Sequence, residues 1–152
     1  MTELKTDDND FINKKKFKMT SIVKYIGDLR CESEHLQSGT IIKTDPPTDN
    51  NGKGEMFSPT DLCATSLAQC MLTTIAILGR DRNLIIDGSY AEVTKIMVPK
   101  PRKIGEIVCN LYFKGEFSED EKSFIKETAL NCPVALSLHP ELKKTVHFNY
   151  NK

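Results

Sequence analysis

The 152-residue sequence has no excess of charge of either sign: 21 lysines and arginines balance 21 aspartates and glutamates, and its isoelectric point is near 6.8. Without a net basic field there is nothing to hold a phosphate backbone by counterion release, so nucleic acid is not expected as a partner. The five cysteines include no Cys-x-x-Cys pair. An odd number without zinc-type spacing argues against both a secreted disulfide framework and a structural metal, and implies reduced thiols in the cytosol. Internal repeats and low-complexity tracts are also missing. The segment Met1–Lys18 lacks the apolar core of a signal peptide and is too acidic for a transit peptide. It reads as a flexible tail, leaving residues 19–152 as a single domain.

What is present suits a globular α+β chain, with 39% hydrophobic and 28% charged residues. Three short β-branched runs, Ile22 to Ile26, Arg30 to Leu36 and Thr40 to Thr44, are separated by Gly27-Asp28 and Ser38-Gly39, which predicts an antiparallel meander. The stretch from Pro46 to Gly54 consists of turn formers and predicts a surface loop. Its Gly-Lys-Gly is too short for a phosphate-binding loop.

Ser58-Pro59-Thr60-Asp61 is a helix start: a capping hydroxyl, a proline suited to the first helical position, and an acid favoured by the helix dipole. The helix is expected to run to about Gly79. From Leu62 to Gly79 it carries no charge, yet Thr65, Ser66, Gln69, Thr73 and Thr74 make it too polar for a membrane span. It predicts a helix apolar nearly all round and buried on most sides. One chain of this size cannot surround it, so a second subunit is the expected cover.

Beyond it, Ile85 to Val98 and Ile104 to Phe117 predict two extended segments joined at Pro99-Lys100-Pro101-Arg102. Ile107, Cys109, Leu111 and Phe113 form one apolar face. Ser118 to Glu121 is a capping box for a helix with Phe124, Ile125, Ala129 and Leu130 inward. A short helix over Pro133–Leu138 and a strand over Thr145–Tyr150 complete the pattern.

The cysteines are the candidates for chemistry. Cys109 and Cys31 read as structural residues on strands. Cys63 and Cys70 lie seven apart on one helix, about 10 Å along the axis, too far to pair. Cys132, in Asn131-Cys132-Pro133, sits where a helix begins, and local physics makes it the most activated thiol in the chain. Cys70, in an apolar helix, needs a cation brought from elsewhere to favour its thiolate. His35, His139 and His147 fall in turns or on outward strand positions, and no motif supports a Cys/His hydrolase.

The pattern Ser58-Pro59-Thr60-Asp61-Leu62, leading to Gln69-Cys70-Met71, and the later Asn131-Cys132-Pro133-Val134-Ala135-Leu136-Ser137-Leu138 resemble the OsmC/Ohr family. That family comprises osmotically inducible protein C and the organic hydroperoxide resistance proteins. The resemblance, spanning about Met19 to Tyr150, implies an intertwined homodimer with antiparallel sheets wrapped around long central helices. It also implies a cytoplasmic thiol peroxidase acting on organic hydroperoxides, in which Cys70 is peroxidatic and Cys132 resolves it, reversing the local ranking. Arg30, the sole arginine before the helix, is then the activating cation. The hydroperoxide-resistance branch has Glu directly after the helix-opening proline, where this chain has Thr60. Asp61 and Glu55 are the candidates for the acid that orients Arg30.

The function expected on this resemblance is peroxide reduction through a Cys70–Cys132 disulfide. It involves no cofactor or metal and an external dithiol, of lipoyl type, as reductant. Neither membrane nor nucleic acid enters as a partner. The alternative is a non-enzymatic OsmC-like protein that binds a hydrophobic small molecule at the dimer interface.

Overall fold

The structure, a computed structural model, describes residues 18–151; the expected tail, apart from Lys18, lies outside the described residues. Two compact units divide the chain, one ending at Met56 and the other beginning at Phe57.

The smaller unit is the expected meander, with β1 (Ser21–Gly27), β2 (Arg30–His35) and β3 (Ile41–Thr44) paired antiparallel in the order β1-β2-β3. Its first turn holds Asp28 and Leu29 at φ of 50° and 62°. Both central residues of this two-residue hairpin are therefore left-handed, the backbone that matches strand twist. Asp tolerates this conformation, whereas Leu seldom does. The Leu29 amide is tied to the Tyr25 hydroxyl at 3.2 Å.

The larger unit is built on α1 (Pro59–Gly79), with the start and end that the sequence indicates. The Ser58 hydroxyl accepts the Asp61 amide at 3.0 Å, and the Asp61 carboxylate accepts the Ser58 amide at 2.8 Å. This reciprocal box satisfies two of the free amides at the helix start. Ala64, Leu67, Ala68, Met71, Ile75 and Gly79 are buried, and their three- and four-residue spacing marks one stripe. Away from that stripe the helix is open within one chain, and Ile77 and Leu78 are more than half exposed.

The second sheet has the order β4-β5-β6, with β4 (Tyr90–Pro99), β5 (Arg102–Lys114) and β6 (Lys143–Asn151). The expected strand from Ile85 begins later, because residues before Tyr90 turn: Gly88 has φ of 82° and the Ser89 amide donates to the Ile86 carbonyl. On β5, Ile107, Cys109, Leu111 and Phe113 are fully buried, as their alternation indicates. Val146, Phe148 and Tyr150 of β6 pack against the same core.

The sheet is mixed rather than wholly antiparallel, since β6 runs parallel to β5. Between them lie α2 (Glu119–Leu130) and α3 (Pro133–Ser137), and a helical crossover returns the chain in its original direction. Within α2 the inward positions are Ile125, Thr128 and Ala129, while Leu130, expected inward, is 42% exposed. One residue past Ala129 is a rotation of about 100°, enough to carry a side chain off the buried stripe.

Lys95 of β4 reaches the start of α1. Its ammonium lies 2.7 Å from the Asp61 carboxylate, 2.7 Å from the Thr60 hydroxyl and 2.9 Å from the Ser58 hydroxyl. Ser58, 1% exposed, is the hub of this network. Replacing it with alanine removes the cap and leaves buried donors short of an acceptor. Ser58→Ala is expected to lower stability by roughly 1 to 2 kcal/mol, read from the denaturant midpoint at unchanged slope. A midpoint equal to that of the wild type would show that water replaces the hydroxyl.

Candidate functional site

The larger unit brings Cys70 and Cys132 together. Cys70 stands on α1 and packs half-buried against the core; Cys132 is fully buried and forms the N-cap of α3. The Cys70 sulfur has Thr74 Oγ1 at 3.8 Å, one turn along the helix, and the Cys132 thiol near enough for Cys70 to raise its pKa. All five cysteines are free thiols.

Cys132 tests the local argument for an activated thiol. The amides of Ala135 and Val134 favour its thiolate, as a helix start should, although its side chain makes no capping hydrogen bond. Burial acts in the other direction and is the larger effect; with the nearby Cys70 sulfur it leaves the Cys132 pKa above that of an ordinary thiol. The most activated thiol by sequence is therefore a protonated one in the fold. Proximity to the helix start was legible, and enclosure by the core was not.

The smaller unit holds a cluster of three charges. Arg30 opens β2 directly after the left-handed turn, and its guanidinium is bonded to the Glu55 carboxylate and, at 3.5 Å, to Asp45. Arg30 is thus not a solvated turn charge. Its pKa is raised, first by the hydrogen bond to Glu55. Among the described residues its Nε–H is buried without a partner. Glu55 is more than half exposed, whereas Asp45 is 1% exposed.

Asp45 was not singled out from the sequence, yet it organises the loop. Its carboxylate accepts the amides of Glu55 at 3.0 Å and Lys53 at 3.5 Å. The hydrogen bond from Glu55 is the main reason that its pKa is lowered, against the opposing effect of burial. Between these contacts the chain folds tightly: the Gly52 amide donates to the Pro47 carbonyl, and a Cβ on Gly52 would lie 1.7 Å from the Pro46 carbonyl oxygen. Only glycine fits that approach. The signal for Asp45 was its place between a strand end and the Pro-Pro that opens the loop.

The two acids named for orienting Arg30 have separate partners. Glu55 is bonded to Arg30, while Asp61 is engaged by Lys95 and Ser58. Burial would raise the Asp61 pKa, but the hydrogen bonds from Lys95 and Ser58 hold it below the usual carboxylate range. Thr60, at the position where the resemblance points to a glutamate, accepts a hydrogen bond from the same lysine. His35, His139 and His147 are all exposed. Among the described residues no cluster of His, Cys, Asp and Glu has the makings of a metal site.

A long capped helix and a short helix opening on cysteine, meeting at a thiol pair in an α+β core, define a thiol-bearing protein class. The sequence model of the OsmC-like protein family matches residues 52–147, and the chain belongs to that family. A solved structure from Psychrobacter arcticus, provisionally described as an osmotic stress induced and detoxification response protein, is 48% identical; the match covers 90% of this chain and 99% of that one, with TM-score 0.85. An OsmC-like protein from Mycoplasma pneumoniae shares the fold at 22% identity and TM-score 0.70, over 91% of this chain and 99% of that one. So does an organic hydroperoxide resistance protein OsmC from Legionella pneumophila, at 17% identity and TM-score 0.64, over 88% and 99%. No match was found among curated proteins.

The depressed Asp45 pKa fixes the sign of a pH effect. A carboxylate whose folded pKa lies below its unfolded value contributes stability above the unfolded value, about 4, and that contribution is lost as pH falls through the folded one. Asp45→Asn is expected to lower the unfolding midpoint at neutral pH and to flatten its fall below about pH 4. Equal acid profiles in thermal melts of the two proteins would remove Asp45 from this role.

Proposed function

We propose that this protein is a thiol-dependent organic hydroperoxide reductase of the cytoplasm, working as a homodimer. The observation that carries the reading is the placing of Cys70 and Cys132 on one core, near enough for Cys70 to raise the Cys132 pKa, one half-buried on the long helix and the other enclosed at the start of the short one. The Cys70 thiolate attacks the peroxide oxygen, giving a sulfenic acid and releasing the alcohol. Cys132 then condenses with the sulfenic acid, losing water, and an external dithiol reduces the disulfide. Condensation needs the two sulfurs close together, and the reading is supported by Cys132 lying near enough to Cys70 for that sulfur to raise its pKa.

Arg30 is the cation assigned to Cys70 in this reading. A thiolate halfway along a helix gains nothing from the helix terminus, so a guanidinium is the remaining means of favouring it. Glu55 and Asp45 hold that guanidinium, and the Arg30 Nε–H still has a donor to give. Asp61 serves as an anchor of the helix start through Lys95. The dimer is favoured by the uncharged surface that α1 leaves open and by Val23, Tyr25, Ile41 and Ile42, all exposed on the smaller unit's sheet.

Stopped-flow consumption of cumene hydroperoxide in the presence of a dithiol tests the reading. Cys70→Ser is expected to abolish turnover, whereas Cys132→Ser completes one and leaves Cys70 to climb to sulfinic acid. The reverse result would reassign the two roles, and no consumption by wild type would favour the ligand-binding alternative.

Arg30→Ala is expected to raise the pH at which Cys70 is alkylated, since the thiolate loses its cation. An unchanged alkylation profile would return Arg30 to a structural role.

A further inference from the structure

Hydroxyls along the uncharged part of α1 are spent in two ways. Ser66 donates to the Cys63 carbonyl at 2.7 Å and Thr73 to the Gln69 carbonyl at 2.8 Å, bonds to the preceding turn that a hydroxyl on a helix commonly makes. Thr74, next in the chain, departs from this. Its Oγ1 faces the Cys70 sulfur at 3.8 Å, a hydrogen-bonding distance for sulfur, and its hydroxyl has no other partner among the described residues. Both residues are half-buried, so the contact is partly shielded from water.

We propose that Thr74 is a catalytic residue of the chemistry at Cys70, its hydroxyl donating to the thiolate and so favouring the form that attacks; this rests on the peroxidase reading for the reaction it serves. In the thiol form either group can donate, whereas a thiolate can only accept. Ionisation of Cys70 therefore fixes the direction of the bond, and a donor to the charged form stabilises that form. Thr74 keeps its proton throughout and is neither oxidised nor consumed. Its branched Cβ restricts χ1, which holds the oxygen toward the sulfur. The charge assigned to Arg30 comes from another segment; Thr74 adds a neutral donor from the helix itself.

Charges on the elements that pack against α1 are taken up elsewhere or exposed. Lys95 of β4 is held by Asp61, about two and a half turns before Cys70. On α2, Lys122 pairs with Glu119, Glu121 accepts the Ser118 amide, and Lys126 and Glu127 are exposed. The core face of β5 offers the thiol of Cys109 and the start of α3 that of Cys132; burial raises the pKa of both, so each is neutral near pH 7. The Thr74 hydroxyl does not itself titrate, so a change in the pH dependence of Cys70 on its removal reports the hydrogen bond.

The test alkylates the reduced full chain with iodoacetamide across pH and follows the Cys70 peptide by mass spectrometry, in the wild type, Thr74→Val and Thr74→Ser. Valine keeps the branched shape without the hydroxyl and is expected to raise the midpoint of Cys70 alkylation by roughly one-half to one pH unit. Well above both midpoints the valine variant is expected to react at least as fast as the wild type, because a thiolate freed of a donor is the stronger nucleophile. A merely structural role would not produce this crossover. Serine restores the donor and is expected to return the midpoint most of the way. An unchanged midpoint in Thr74→Val, a loss of rate by the same factor at every pH, or a serine variant shifted as far as valine overturns the proposal. Single-turnover oxidation of Cys70 by cumene hydroperoxide is expected to show the same shift. Crossover with iodoacetamide where the wild type consumes no hydroperoxide upholds the donor role and removes the peroxidase reading instead.

Discussion

A helix with no charge from Leu62 to Gly79 imposes the main constraint on the larger unit, because every face of it that meets water has an apolar cost. Burying a side chain such as Leu67, Met71 or Ile75 contributes roughly 1.5 to 3 kcal/mol, and all three are completely enclosed. The buried face of β5, with α2 and α3, completes the core that takes up this stripe. Charge on the helix is confined to its start, where Ser58, Asp61 and Lys95 satisfy one another. The same confinement puts Cys70 on a surface with no local charge to tune it.

The cation–carboxylate groups around Asp61 and Asp45 do different physical work. Around Asp61, a lysine from β4 ties the sheet to the first turn of α1, and the acid also closes its own capping box. Around Asp45, the carboxylate is spent chiefly on loop amides, and Arg30 is a shared partner with the exposed Glu55. An enclosed acid held by backbone amides is fixed in place. The exposed Glu55 is nonetheless the closer partner of Arg30, and its hydrogen bond is the first cause of the raised Arg30 pKa.

Much of the fold was legible because the punctuation is local. Ser58-Pro59 and Ser118-Glu121 name their helices, and the Ile107 to Phe113 alternation names the core face of β5. What escaped depends on contacts between distant segments. Lys95 looks like any lysine on an alternating strand until β4 is laid beside the start of α1. Asp45 looks like a turn residue until the loop folds back over it. The parallel pairing of β6 has no signature in its own residues, since direction is set by the helices that precede it. Cys70 and Cys132, sixty-two residues apart in sequence, were paired by resemblance and not by local chemistry.

Cys132 shows how two correct principles are decided by magnitude. Amides at a helix start favour a thiolate, and an apolar enclosure disfavours it; α3 is a helix of only five residues, so its dipole is small while the enclosure is complete. Burial wins, and the thiol stays protonated. A protonated thiol is a poor first nucleophile toward peroxide, and in the reaction proposed above Cys132 is given only the second step, condensation with a sulfenic acid. The enclosure that keeps Cys132 protonated also guards it from the solvent, whereas Cys70 on α1 is only half-buried, and that difference in exposure is what the proposed division of roles draws on.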